Sequence, residues 1–233
     1  IIINLAALTN VDLCEKDKRA ANELNYKIPR NLNSWIKKNK KTYLIHFSTD
    51  QVYSCKGPHK ENQVKIINNY SRTKLKGEKA INLKNSIIFR TNFFGLSNSK
   101  KYSFTDWIFR SALKKEKVSF FKNIKFSPLR MNTVCKIIYI SIKKRYCGLY
   151  NLGSKGGLSK SNFSLFFLKL LKLNNFDYKI VNFNQNFAAK RSLDMTMNVS
   201  KFEKKFNLEL PSCKNEIINE IKNYRRLLTK FKK

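Results

Sequence analysis

Apolar residues fall in short, dense runs along the first part of the chain. Residues 1–5, 42–48 and 86–91 are apolar with little alternation, the pattern of parallel strands buried on both faces. Between them the spacing turns helical. Residues 12–39 read as helix in two parts, with Pro29 allowing a break or a new start. Residues 70–83 read as the next helix, and residues 49–69 have the polarity of a long loop with Gly57-Pro58 at its centre. A loop from Phe94 through Ser99, a helix over 104–115, a strand over 118–121 and a helix over 131–143 follow. Strands alternating with helices predict an α/β fold, a parallel sheet covered by helices on both faces.

Past Gly148 the elements shorten. Strands are expected at 149–152 and 178–183, and helices at 159–171, 199–206 and 214–231, with Ser159 as the N-cap of the first. At 233 residues the chain has room for one domain with a smaller lobe. It begins without methionine inside a strand-like run, which predicts a fragment lacking its natural N-terminus. Without a neighbour, that first strand would present an apolar edge.

The net charge of +33 at first suggests a polyanion partner. Its lysines, however, are spread along the chain without aromatic interleaving, and the wealth of Lys, Asn, Ile and Phe fits drift in an AT-rich genome. No specific nucleic-acid partner is expected, although salt-sensitive nonspecific binding is. The five cysteines are scattered without a Cys-x-x-Cys pair, which predicts reduced thiols and a cytoplasmic setting and argues against a zinc site. His46, in an apolar run, reads as a core histidine. No run approaches the ~18 apolar residues of a membrane span.

The candidate chemistry lies at Tyr70 and Lys74. Four apart on a helix, they share a face, where the ammonium is expected to lower the phenol's pKa. Thr49, at the end of the second strand, adds a hydroxyl that would complete a clamp on a carbonyl oxygen. Ala6-Ala7 and Thr91-Asn92 close the flanking strands, where open α/β sheets bind ligands. For Ala6-Ala7, tight packing and close approach of a cofactor are equally open.

Asn4-Leu5-Ala6-Ala7-Leu8-Thr9-Asn10-Val11-Asp12, Ser48-Thr49-Asp50-Gln51-Val52-Tyr53, Tyr70-Ser71-Arg72-Thr73-Lys74-Leu75-Lys76-Gly77-Glu78, Arg90-Thr91-Asn92 and Arg191-Ser192-Leu193-Asp194 occur in this order. With that order and spacing the chain resembles the dTDP-4-dehydrorhamnose reductase family of the extended short-chain dehydrogenase/reductases. The resemblance implies a Rossmann-like cofactor and catalytic domain over 1–147, lacking its first strands, and a mainly C-terminal substrate lobe over 148–233. It implies reduction of the 4-keto group of a nucleotide-linked deoxysugar by NADPH or NADH, NADPH being favoured, with a homodimer allowed for. By the same likeness Tyr70 gives the proton, Lys74 holds the nicotinamide ribose and Thr49 bonds the carbonyl. Ala6, Ala7, Thr9 and Ser48 would line the cofactor, Asp50, Asn92 and Phe93 would border the sugar, and Arg191, like the family's late arginine, would face the substrate's diphosphate.

Phe93 stands where relatives often carry tryptophan, keeping a stacking surface without the indole donor. The family's glycine-rich pyrophosphate turn is not found, so the fragment alone is expected to be inactive. Gly153-Ser154-Lys155-Gly156-Gly157 lacks the fingerprint's third glycine, replaced by Ser159, and reads as a linker. A non-catalytic regulatory relative of the same fold is the second reading, and a basic nucleic-acid binder the third.

Overall fold

The computed structural model describes residues 1–97, 102–184 and 188–231; the end of the loop expected through Ser99 lies outside them. Four strands, β1 (Ile2–Asn4), β2 (Leu44–Thr49), β3 (Ser86–Thr91) and β8 (Gly148–Leu152), form a parallel sheet in the order β1-β2-β3-β8. Every residue of β2 and β3 is buried. The sheet pleat divides their apolar side chains between two layers. Ile45, Phe47, Ile87 and Phe89 pack with Val134 and Ile137 of α6 (Met131–Lys144) and Phe202 and Phe206 of α8 (Ser200–Phe206). Leu44 and Ile88 turn the other way, toward Ile36 of α3 (Ile28–Lys38) and Ile81. β1 lies at the sheet edge with Ile3 exposed.

The first helical stretch differs from expectation. It breaks at Asp17, between α1 (Val11–Lys16) and α2 (Lys18–Asn22), where Asp17 caps α2 through Ala20 N. A π-helical turn over Glu23–Lys27 follows α2, and α3 starts anew at Ile28 with Pro29 in its first turn, where the missing N–H costs least.

α4 (Asn69–Lys79) then crosses from β2 to β3. Short strands unseen in the periodicity follow: β4 (Phe93–Phe94) pairs with β7 (Leu129–Arg130), and β6 (Lys125–Phe126) with β9 (Leu158–Ser159). Their two-residue length carries no periodic signal. A second core joins α5 (Phe104–Leu113), β5 (Val118–Phe121), α7 (Lys160–Leu171) and α9 (Cys213–Phe231) through residues such as Phe109, Phe120, Phe163, Phe167 and Tyr224. β5 pairs with β10 (Tyr178–Val181). The boundary expected at 147/148 is thus crossed in both directions: β8 completes the main sheet, while α5 and β5 belong to the second core. Ser159 caps α7 as expected, accepting from Asn162 N.

Among the described residues no helix is long and apolar enough to cross a membrane, and no group of His, Cys, Asp and Glu is arranged to hold a metal.

Candidate functional site

The carboxyl ends of β2 and β3 lie side by side, Thr49 opposite Thr91. Thr49 is buried, and its Oγ1 accepts from Gln51 N at 3.1 Å, which turns the chain sharply out of the sheet. Asp50 follows, buried too, and accepts from Asn92 Nδ2 at 2.8 Å. Burial pushes the Asp50 carboxyl up to about 6; the Asn92 hydrogen bond and the Lys160 charge restrain the rise.

α4 brings the tyrosine and lysine to this point. Asn68 starts it, accepting from Ser71 N at 2.8 Å, and is itself anchored by donating to the Lys190 carbonyl at 2.9 Å. The face turned inward carries Tyr70, Thr73, Lys74, Gly77 and Glu78, all buried or closely packed. A helix that buries tyrosine, threonine, lysine, glycine and glutamate inverts the usual amphipathic pattern, so each polar group needs a partner.

Those partners are present. The Thr49 hydroxyl stands near the Tyr70 phenol and favours its charged form. Lys74 Nζ donates to the Phe47 carbonyl at 2.6 Å. Thr73 Oγ1 accepts from Asn25 Nδ2 at 3.2 Å, and Asn25, carried by the π-helical turn, also bonds both backbone groups of Leu8. Gly77 is what lets that turn approach, since a Cβ there would lie 2.2 Å from the Asn25 carbonyl oxygen. Glu78 receives Arg90 twice, Nη2 at 2.6 Å and Nε at 3.0 Å, together with the hydroxyl of Ser48, the cross-strand neighbour of Arg90. Arg90 also reaches the Tyr53 hydroxyl and the Glu61 carbonyl. One carboxylate thus clamps α4 to both central strands.

The expected lowering of the Tyr70 pKa by Lys74 does not occur. Burial dominates and pushes the phenol up to about 12, with the nearby Thr49 hydroxyl opposing the rise and Asp50 and Cys14 adding to it. The Lys74 ammonium is spent on the Phe47 carbonyl, and burial lowers its own pKa to about 8. His46 is a core histidine, held neutral by burial and the Lys74 charge; Asn4 bonds Nδ1, while Nε2 has no partner.

The other predicted positions separate. Ala6, Ala7 and Thr9 follow β1, half-buried or exposed, and Ala6 N is tied to Asn4 Oδ1. Ser48, expected to face a cofactor, gives its hydroxyl to Glu78 instead. Phe93 is 42 % exposed on β4. Arg191 Nη2 pairs with Asp12 Oδ2 at 2.5 Å. The Gly153–Gly157 segment is a packed linker. Ser154 N and Lys155 N are taken by the carbonyls of Ser127 and Pro211, and a Cβ on Gly153 would strike Ser127.

Asn92, Arg191 and Ser192 line a cavity of about 360 Å³ beside Asp50, walled by Phe104, Trp107 and Phe120 and by Lys160. Sequence reasoning missed Lys160, which looks in the chain like any other first-turn lysine. Glu78 and Arg90 both lie in recognisable motifs, but their pairing is set by the fold alone.

Parallel strands whose carboxyl ends gather the polar cluster define a Rossmann-like α/β protein with an appended lobe. Residues 1–226 match the family described as the RmlD substrate binding domain, and the chain belongs to that family. It is 27 % identical over 171 residues to a probable low-salt glycan biosynthesis reductase, Agl14, of Haloferax volcanii, covering 70 % of this chain and 57 % of that protein. It is 26 % identical over 234 residues to the dTDP-4-dehydrorhamnose reductase of Salmonella typhimurium, covering 91 % of this chain and 75 % of that one. The chain therefore spans between about half and three quarters of these relatives' length. A crystal structure of dTDP-4-dehydrorhamnose reductase from Bacillus anthracis in complex with NADP shares the fold at a TM-score of 0.86 and 22 % identity, over 95 % of this chain and 80 % of that one.

Proposed function

We propose that the protein carrying this chain reduces the 4-keto group of a nucleotide-linked deoxysugar, with NADPH as the hydride source. The support that weighs most is that α4 brings Tyr70 and Lys74 to the carboxyl end of β2, where Thr49 stands near the phenol and Gln51 and Asn92 line a cavity of about 360 Å³. The family membership and the reductase names of the relatives agree with it.

In this reading the substrate carbonyl oxygen accepts from the Tyr70 and Thr49 hydroxyls together, so both point at the oxygen that becomes an alkoxide. Tyr70, with its pKa near 12, is protonated at neutral pH and acts as the acid. Lys74, fixed between α4 and β2, sets the helix at the depth where the phenol meets Thr49. Ala6 and Ala7, whose small side chains leave open surface at the end of β1, would hold a nicotinamide ring. When bound, it supplies hydride to the carbonyl carbon.

The test is NADPH oxidation by the gene product in the presence of a dTDP-4-keto-6-deoxysugar. Tyr70→Phe is expected to lower kcat by about 100-fold or more while KM changes little. A Tyr70→Phe enzyme with wild-type turnover would refute the role.

A further inference from the structure

Lys160 opens α7 directly after the cap residue Ser159 and reaches the cavity wall. Its Nζ lies 3.5 Å from the ring centroid of Phe126 and 3.9 Å from that of Phe104, so two aromatic faces hold it in place. Among the described residues it enters none of the ion pairs. Arg191, the other cation lining this cavity, is already paired with Asp12. Asp50, hydrogen-bonded to Asn92, favours the Lys160 charge without forming an ion pair with it.

A half-enclosed ammonium without a paired anion is costly to keep, and burial has drawn its pKa down to about 8. At neutral pH it still carries its proton. Such a group suits an anionic ligand that completes the pair on binding.

The position indicates which part of a ligand that is. With the keto carbon at Thr49 and Tyr70, as the proposed function places it, the sugar ring lies next to Asp50. A nucleoside base would lie against the aromatic wall of Phe104, Trp107 and Phe120. The two phosphates linking sugar to nucleoside must then pass between strand end and aromatic wall, where Lys160 stands. We propose that Lys160 is the residue that holds the substrate's diphosphate, making the pocket selective for nucleoside-diphosphate sugars over uncharged glycosides. Arg191, neutralised by Asp12, contributes less.

Calorimetric titration of the intact chain with dTDP tests this directly, because it needs neither reduction nor cofactor. Lys160→Met is expected to weaken dTDP binding by about 10- to 100-fold, the worth of a charge-assisted hydrogen bond. Lys160→Arg should stay within a few-fold of wild type, and the salt dependence should flatten only in the methionine variant. Lys160→Met binding dTDP as tightly as wild type would overturn the assignment while leaving the reductase reading intact. Lys160→Arg losing as much as Lys160→Met would also overturn it, pointing to shape rather than charge. If the wild-type chain binds no dTDP at all, the sugar-nucleotide pocket itself falls, and Lys160 with it.

Discussion

Replacing Glu78 by glutamine keeps the side chain's size and removes its charge, at the point where α4 is fastened to the sheet. Arg90 is 2 % exposed and Glu78 5 %, so water cannot replace the lost carboxylate. The guanidinium would keep its bonds to Tyr53 and the Glu61 carbonyl but would sit as an uncompensated buried charge. Breaking such a pair by removing one partner costs about 3–5 kcal/mol. Glutamine can still accept one hydrogen bond from Arg90, which places the expected loss near the lower end, about 3 kcal/mol. Against the 5–15 kcal/mol typical of a folded domain, that is a large fraction. With a urea slope of about 2–3 kcal/mol per molar, the unfolding midpoint followed by circular dichroism should fall by roughly 1 M. The double variant Glu78→Leu/Arg90→Met removes both charges and should recover much of the loss. Because Tyr70 and Lys74 ride on the same helix, Glu78→Gln should also reduce turnover in the folded population. A midpoint unchanged by Glu78→Gln, or a double variant less stable than the single one, would refute the clamp.

Three further tests address neighbouring features, alongside the Tyr70 and Lys160 variants above. Gly77→Ala should cost about 1–3 kcal/mol in the same unfolding assay, because the new methyl group meets the backbone carbonyl of Asn25 at 2.2 Å and backbone cannot swing aside. Asp50→Asn should change how stability depends on pH. Asp50 titrates near 6 when folded, above its ordinary value of 3.8, so its protonated form stabilises the fold fully below about pH 4. That contribution disappears as pH rises through 6, a difference on the order of 3 kcal/mol. Asparagine stays neutral throughout, so the variant should gain on wild type between pH 4 and pH 7.5; parallel pH profiles would contradict the assignment of a raised carboxyl. Asn25→Ala should loosen the turn after β1, because one side chain holds Leu8 N, Leu8 O and Thr73; faster hydrogen exchange at Leu8 is the expected signature.

The sequence alone determined the α/β class, because β2 and β3 are continuous apolar runs and only strands buried on both faces use them. It also located the cap at Ser159 and the Tyr70–Lys74 face, since both depend on residues within one helical turn. The new start at Pro29 was legible, but the additional break at Asp17 and the π-helical turn after it were not, because neither leaves a signal in the local spacing. Nor was the rest of the inward face of α4, Thr73, Gly77 and Glu78, whose roles depend on partners elsewhere in the chain. Those partners come from far along the chain: Glu78 meets Arg90 on β3, and Thr73 meets Asn25, 48 residues earlier. Strand order and register bring them together, and no local periodicity encodes either. The same holds for the rise of the Tyr70 pKa, which burial decides, and for Lys160, which becomes a site residue only when the second core turns α7 toward the end of β2.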